Sequence, residues 1–448
     1  MRSLRHKIEH EIRERGPIPF SRYMELCLYD LEFGYYQRHR ERFGKAGDFY
    51  TSSDVHAVFG RLLARQFEEM WRALGEPEHI ELVELGPGRG LFAQDVLDWS
   101  EKKFPDFFRA LRYVLVERSP ALRQRIRETL ARHLDAGKAD LSALDALAAG
   151  AAPAAERRNN AAHGASRGSA GHGNEPAPEG RKKTPGGDST TPTILFANEF
   201  FDALPVEILS PQGSLRIDAR EGRFLETWVR PLPEELEFLD RYSIHPEPDE
   251  RVEVPLIAQQ TMLNLAANLH RGFLITIDYG YTRAEQLAGR HIGSLKAIRR
   301  HTVSAGPYEA PGEQDLTADV NFTALAAAAE QNGMRTEKLI TQSQFLLGIG
   351  EANQFADAFE ECRLPQERAK VALQLKHLVT PAGMGESFHV LIASKGAEEE
   401  KAVALAGLNF GRALWISPGD KLKRGYGRKL RHARSPQRLP SAYYSHPP

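Results

Sequence analysis

The chain has 448 residues, of which 41% are hydrophobic, and a formal net charge of -1. This composition supplies enough apolar side chains for one large domain or two smaller ones. A net charge so close to zero gives no argument for nucleic acid as a partner. Only Cys27 and Cys362 are present, so we expect no disulfide framework, and no apolar run is long enough to cross a bilayer.

The first part of the chain, residues 1–75, is predicted to be a helical segment that also carries a capping loop. Its start alternates charges at helical spacing, lacks an apolar signal core and contains Glu9, Glu11 and Glu14, which a mitochondrial presequence would avoid. We therefore expect a cytoplasmic protein. A polar loop follows at residues 44–53, where Asp48 and Thr51 could help to close over a bound ligand. Helix capping by Thr51 is the alternative for this loop.

An apolar strand runs directly into three glycines between Ile80 and Leu91. Gly86, Gly88 and Gly90 allow a sharp turn and a close approach of the backbone to a ligand. The third glycine comes one residue too early for a dinucleotide fingerprint, and Glu84 lies inside the motif. A carboxylate suits a cationic, hydroxyl-rich ligand without phosphate. S-adenosylmethionine is such a ligand, so the loop favours it as the cofactor.

A second acid follows at the distance that a doubly wound sheet requires. The apolar run from Leu111 ends at Glu117, about one helix and one strand after the glycines, where its carboxylate could accept both ribose hydroxyls. Exposed glutamates at strand ends are common, which is the alternative reading. The order of the segments favours a nucleoside-type cofactor: a strand, the glycine loop, a helix, a second strand and then an acid.

The next segment, residues 148–192, is rich in Ala, Gly, Asn, Arg, Ser and Pro and has no apolar periodicity. It is predicted to be a disordered surface insertion, because it buries too little apolar surface to offset its ordering entropy. The third strand of the sheet should lie just before it, although no clear strand pattern marks the position.

The chemistry is expected after the strand that begins at Thr193. Asn198 is assigned to the cofactor side, and Glu199 and Asp202 to the acceptor. The two acids are three residues apart and would share one face if a helical turn forms. Carboxylates bind a guanidinium bidentately, which favours an arginine acceptor. Capping of a following helix is the alternative.

The remaining pattern predicts that one α/β domain extends over residues 76–394. Short apolar runs predict further buried strands, among them one ending at Asp278, whose carboxyl end should border the same cleft. We predict that residues 205–230 form a small antiparallel meander. Residues 342–380 are predicted to form a helical insertion before the last strand. A polar loop could wall the acceptor pocket with Asp315, Thr317 and His301, or could be a plain surface loop. Residues 395–448 predict a basic, disordered tail.

The whole set of motifs resembles the MidA family, which comprises protein arginine methyltransferases of the mitochondrial complex I assembly-factor type and bacterial relatives. The matching segments include Gly34-Tyr-Tyr36, Gly47-Asp-Phe-Tyr-Thr-Ser52, Glu84-Leu-Gly-Pro-Gly-Arg-Gly90, Val116-Glu117, 197–205, Asp278-Tyr-Gly-Tyr281, Arg299-Arg-His301, 311–322 and Thr341-Gln342. Together they span roughly residues 16–394.

This resemblance implies an α/β class I methyltransferase fold, Rossmann-like, with a mostly parallel seven-stranded sheet. It implies S-adenosyl-L-methionine as cofactor, with Gly47 and Phe49 joining Asp48 and Thr51 in the cofactor loop, and it implies catalytic roles for Glu199, Asp202 and His301. For the mitochondrial members it implies an arginine in a protein partner as acceptor. A small-molecule N- or O-methyltransferase and a non-catalytic assembly factor remain open. No metal is expected, and the oligomeric state is open, a homodimer included.

The predicted insertion can be tested by deletion. Removing residues 159–187 should leave the melting temperature and the activity nearly unchanged, because loop-closure entropy varies only slowly with loop length. Thermal melts of the shortened and full-length chains make the comparison, and a large drop in melting temperature would show that the insertion contributes structure.

Overall fold

The computed structural model of the chain describes residues 3–37, 57–142, 191–289, 293–299, 302–304 and 306–410. The helices are α1 (Leu4–Arg15), α2 (Phe20–Tyr29), α3 (Ala57–Ala73), α4 (Leu91–Lys103), α5 (Pro105–Ala110), α6 (Pro120–Thr129), α7 (Ala131–Asp135), α8 (Pro233–Tyr242), α9 (Leu256–Asn268), α10 (Arg283–Leu287), α11 (Phe322–Gln331), α12 (Gln342–Glu351), α13 (Ala356–Phe359), α14 (Pro365–Val379) and α15 (Glu399–Val403).

The strands, in chain order, are β1 (Ile18–Pro19), β2 (Ile80–Leu85), β3 (Leu111–Val116), β4 (Ala139–Ser142), β5 (Thr193–Asn198), β6 (Glu207–Ser210), β7 (Gly213–Arg220), β8 (Arg223–Val229), β9 (Val252–Val254), β10 (Gly272–Tyr281), β11 (Lys296–Arg299), β12 (Thr302–Val303), β13 (Asp315–Thr317), β14 (Val320–Asn321), β15 (Arg335–Thr341) and β16 (Phe388–Lys395).

The central sheet has the order β15–β16–β10–β5–β2–β3–β4, and the short strand β14 pairs with β10 beside this path. Strand β16 is antiparallel to both of its neighbours, whereas β10, β5, β2, β3 and β4 pair in parallel. The predicted α/β fold with a mostly parallel sheet of seven strands is confirmed, with β14 as an addition. Strand order reverses between β2 and β5, and ligands of such sheets bind outside the strands' carboxyl ends at this point.

The third strand of the central sheet is β4, which lies shortly before residues 148–192. The sequence predicts a strand in this region but shows no clear strand pattern there. Its residues pair with β3 from Tyr113 opposite Ala139 to Val116 opposite Ser142. Only Ala139 and Leu141 of its four residues are apolar, so the strand is too short and too polar to stand out from the sequence.

Two apolar layers cover the central sheet. One face packs against α3, α4 and α12, with Phe67, Phe92 and Phe196 in ring contact. The other face packs against α9 and α11, where Met262 and Phe322 are fully buried. Burial on both faces explains why β5 and β10 read as continuous apolar runs.

A second sheet joins the N-terminal segment to the predicted meander. Strands β6, β7 and β8 form the meander, β1 pairs with β7, and β9 pairs with β6. Helices α1 and α2 cover this sheet, with Ile8, Phe20 and Ile217 in one buried cluster. The described residues up to Phe410 belong to one compact unit, which includes the N-terminal segment.

The helical insertion predicted at residues 342–380 is present as α12, α13 and α14, directly before β16. The chain beyond β16 corrects the prediction of a disordered tail from residue 395. The backbone N–H of Gly407 donates to Gln66 Oε1 at 2.9 Å and that of Ala406 to Glu69 Oε2 at 2.9 Å, and Leu405 and Leu408 are buried. Residues 411–448 and 143–190 lie outside the described residues, so the disorder predicted there stays a prediction.

Candidate active site

The glycine loop between β2 and α4 has the left-handed backbone that its sequence predicts. Gly86 and Gly88 have φ values of +65° and +55°, and Gly90 begins α4 with a φ of +77°. A Cβ atom at Gly86 would lie 3.1 Å from the Phe200 ring, whereas a Cβ at Gly88 would meet no atom of the described residues within 4 Å. The loop therefore contacts the segment after β5 at Gly86 and, within the described ranges, faces open space at Gly88.

Glu84 lies behind this loop, at the end of β2. Its side chain is buried, and Glu84 Oε2 accepts a hydrogen bond from the Tyr113 hydroxyl at 2.8 Å. Burial, together with the charge of Glu117, raises the pKa of Glu84 to about 8. The sequence did not lead us to predict the contact between Tyr113 and Glu84. A tyrosine inside the apolar run of β3 was the signal that could have indicated it.

Glu117 lies at the carboxyl end of β3, as predicted. It is buried, its Oε1 accepts the Ser119 amide hydrogen at 2.7 Å, and burial raises its pKa to about 7. The Ser119 hydroxyl donates to the backbone carbonyl of Tyr36 at 2.8 Å, which ties the N-terminal segment to this side of the cleft.

Oδ1 of Asn198, at the end of β5, is a buried polar atom without a hydrogen-bond partner within the described parts of the chain. The same holds for Nε2 of Gln37, whose Oε1 accepts from Ser119 at 3.1 Å. Such atoms are rare unless a ligand or water satisfies them. Together with the open space at Gly88 and the two acids, they fit a polar, hydroxyl-rich ligand.

The acceptor loop, residues 199–203, follows β5 and is a series of turns. Glu199 has a φ of +49°, its N–H donates to the Ile277 carbonyl at 2.9 Å, and its Oε1 accepts from Asn198 Nδ2 at 3.2 Å. The helical turn considered from the sequence does not form. Helix capping does not explain the acids either, because the next described helix, α8, begins only at Pro233.

Asp202 points inward from this loop. It is buried, its Oδ2 accepts from the Thr317 hydroxyl at 2.8 Å, and burial raises its pKa to about 6. Asp278, directly after the part of β10 that pairs with β5, is completely buried. Burial and the neighbouring charges of Asp202 and Glu199 raise the pKa of Asp278 well above its usual value. The structure thus brings Glu199, Asp202 and Asp278 into one acidic cluster.

The N-terminal segment contributes two tyrosines that the sequence analysis did not assign. The Tyr36 hydroxyl donates to Asp315 Oδ1 at 3.2 Å, and the Tyr29 hydroxyl donates to the Ala203 carbonyl at 2.9 Å. Burial, followed by the charges of Asp315 and Asp202, raises the pKa of both phenols, so they stay protonated donors. The Gly34-Tyr-Tyr36 motif was the signal that could have identified Tyr36.

The remaining predicted site residues divide into two groups. Asp315 and Thr317 lie on β13 and reach Tyr36 and Asp202, so the polar loop does contribute to the acidic side of the cleft. The other residues lie outside the described ranges, and their assignments stay predictions: Gly47, Asp48, Phe49, Thr51 and His301. Among the residues that the structure describes, no His, Cys, Asp and Glu group is arranged to hold a metal ion.

A family model of S-adenosyl-L-methionine-dependent methyltransferases matches residues 62–340. The chain belongs to this family. The resemblance to the MidA family is confirmed, and the cofactor of this methyltransferase is S-adenosyl-L-methionine.

Curated relatives match most of the methyltransferase. The Drosophila melanogaster protein arginine methyltransferase NDUFAF7 homolog, mitochondrial, is 27% identical over 418 residues, which cover 88% of this chain and 85% of the relative. The Homo sapiens protein arginine methyltransferase NDUFAF7, mitochondrial, is 29% identical over 398 residues, which cover 86% of this chain and 82% of the relative.

The expected cytoplasmic location is contradicted by these relatives, which are named as mitochondrial proteins. None of the helices in the described ranges could span a membrane.

Solved structures show the same fold. A Burkholderia thailandensis protein with bound S-adenosyl-homocysteine has a TM-score of 0.69 and 24% identity, with 91% of this chain and 94% of that one covered. A native structure of a protein from the same organism has a TM-score of 0.67 and 26% identity, with the same coverage.

The open space at Gly88 predicts a selective loss of cofactor binding. Gly88→Val and Gly137→Val place the same side chain at φ values of +55° and +68°, and neither Cβ meets an atom within 4 Å among the residues that the structure describes. Both variants should lose about 1–2 kcal/mol of stability through backbone strain. Only Gly88→Val should lose S-adenosylhomocysteine binding in calorimetric titration, and equal binding by the two variants would place the cofactor elsewhere.

The raised pKa of Glu117, about 7, predicts that cofactor affinity depends on pH. If Glu117 binds the ribose as the sequence predicts, the ribose hydroxyls donate to its carboxylate, which forms as the pH rises through about 7 and is lost below it. The dissociation constant of S-adenosylhomocysteine should therefore increase as the pH falls, by up to about tenfold per pH unit. Glu117→Gln should bind more weakly and without this step, and an unchanged pH profile in that variant would show that Glu117 does not bind the ribose.

Proposed function

We propose that this methyltransferase transfers the methyl group of S-adenosyl-L-methionine to the guanidinium group of an arginine in a protein partner. The observation that carries the proposal is the acidic cluster of Glu199, Asp202 and Asp278 at the carboxyl ends of β5 and β10, next to the glycine loop. The mitochondrial relatives are named protein arginine methyltransferases, which supports the same acceptor.

The charge of the cluster suits a cationic acceptor. Buried carboxylates so close together raise one another's pKa, and a cation placed among them removes that repulsion. A guanidinium adds a planar set of N–H donors that two carboxylate oxygens can bind in parallel. Glu199 is only half-buried, whereas Asp202 is buried and bound by Thr317, so Glu199 is the acid that an entering side chain meets first.

The residues of the cleft would act mainly by orientation. The cofactor supplies an electrophilic methyl group on a sulfonium, and the attacking nitrogen must lie in line with it. Carboxylates on the far nitrogens of the guanidinium would hold its positive charge away from the attacking nitrogen. Methylation of a guanidinium leaves one proton in excess, and the Glu199 carboxylate lies where it can accept that proton and pass it to solvent. Tyr36 and Thr317 would keep Asp315 and Asp202 oriented through their hydroxyl donors.

The acceptor role of the two acids predicts a separation between turnover and cofactor affinity. Glu199→Gln keeps the side-chain shape but removes the charge, so methyl transfer should fall by about two orders of magnitude while S-adenosylhomocysteine affinity stays within about twofold. Asp202→Asn should act in the same direction. The assay follows tritium from methyl-labelled S-adenosylmethionine into methylarginine, with protein extract from a strain lacking this chain as acceptor.

Two outcomes would contradict the proposal. Full incorporation by Glu199→Gln would remove the acid from the acceptor site. Tritium label that appears only in small molecules would favour a small-molecule methyltransferase. Mass spectrometry that finds equal protein methylarginine in the wild-type and deletion strains would favour a small-molecule methyltransferase or a non-catalytic protein.

A further inference from the structure

The end of β10 binds four consecutive backbone amides of the acceptor loop. The N–H of Glu199 donates to the Ile277 carbonyl, in continuation of the β5–β10 pairing. The next three amides, those of Phe200, Phe201 and Asp202, all donate to Asp278 Oδ2, at 3.2, 2.9 and 3.3 Å. One carboxylate oxygen therefore sets the path of the chain immediately after β5.

The surroundings of Asp278 show that its carboxylate is not there for packing alone. The side chain is completely buried, and its other oxygen, Oδ1, accepts the Tyr279 N–H at 3.0 Å. An isolated carboxylate in such a place would be strongly unfavourable, and several amide donors are what make it tolerable. An apolar residue would fit a strand buried on both faces more simply. The amides are therefore the reason for an acid at this position.

We propose that Asp278 is a positioning residue, whose carboxylate holds residues 199–203 in the one conformation that presents Glu199 and Asp202 to the acceptor guanidinium. This inference rests on the proposed function. The loop needs such an anchor because Glu199 has a left-handed backbone, which is unfavourable by about 1–2 kcal/mol for a residue with a Cβ. Phe200 of the same loop packs against Gly86, so the anchor also fixes the loop against the glycine turn of the cofactor site.

Asp278→Asn tests the proposal with little change of shape. An asparagine oxygen can accept from the three loop amides only if its NH₂ group then faces the N–H of Tyr279, so the loop loses its fixed position. The initial rate of methylarginine formation, measured with extract from the deletion strain, should fall by about tenfold to hundredfold. The S-adenosylhomocysteine dissociation constant should change far less than the rate, because the hydrogen bonds of Glu84 and Glu117 do not involve the loop and only the Phe200 contact at Gly86 is disturbed. Asp278→Ser, which brings no NH₂ group, is a second variant with the same expectation.

Glu253→Gln is the matched control for the loss of a buried carboxylate. Glu253 lies on β9 of the smaller sheet, is buried, and accepts the Leu295 N–H and the Ser294 hydroxyl, both at 3.1 Å. Its substitution should lower the melting temperature as Asp278→Asn does but leave the methylation rate unchanged. Equal loss of rate in the two variants would show that the Asp278 effect is general destabilisation and would overturn the proposal.

The double variant Glu199→Gln with Asp278→Asn separates positioning from an independent role. If Asp278 acts through the loop, the double variant should be no slower than the slower single variant. The inference would be overturned if the rate losses of the two single variants multiply in the double variant. It would also be overturned if folded Asp278→Asn keeps the full rate while Glu199→Gln is slow. Both outcomes leave the proposed function standing. A full rate for Glu199→Gln would instead contradict the proposed function itself.

Discussion

The parallel pairing of β2 with β5 is the constraint on which the site depends. These two strands lie side by side although the chain between them forms β3, β4 and a long insertion, and the order of the sheet reverses between them. Both strands end at the same edge, so the glycine turn after β2 and the acceptor loop after β5 come into contact at Gly86 and Phe200. Donor and acceptor can meet only because the sheet places these two ends together.

Electrostatics gives the two halves of this edge a common character. Glu84 and Glu117 lie near the glycine turn, and Glu199, Asp202 and Asp278 lie around the loop after β5. Burial raises the pKa of four of these five acids. The protein holds these acids with hydroxyl and amide donors: Tyr113 binds Glu84, Ser119 binds Glu117 and Thr317 binds Asp202. Neutral donors stabilise each ionised carboxylate without adding a positive charge, so a cation that enters the cleft favours the ionised form of these acids.

The N-terminal segment completes the cleft from the other side. It joins the smaller sheet through β1 and covers it with α1 and α2, and this packing brings Tyr29 and Tyr36 to the carboxyl edge of the central sheet. Tyr36 contacts both sides of the cleft, since its carbonyl accepts from Ser119 and its hydroxyl donates to Asp315. The segment is thus part of the site and not a separate domain.

The sequence by itself determined the features whose causes are local. The glycine turn follows from residues that tolerate positive φ, β5 and β10 from unbroken apolar runs, and the meander from alternating runs between turn residues. Only the tertiary structure decided the rest. The loop after β5 turns because Asp278, 76 to 78 residues further along the chain, binds the amides of Phe200, Phe201 and Asp202. Strand β4 is held by its pairing with β3. Residues 395–410 pack against α3 and α12, and the Gly407 N–H donates to Gln66 of α3. Contacts between residues so far apart in the chain leave no periodic signal, so the conformation of the loop after β5 could not be predicted from the sequence.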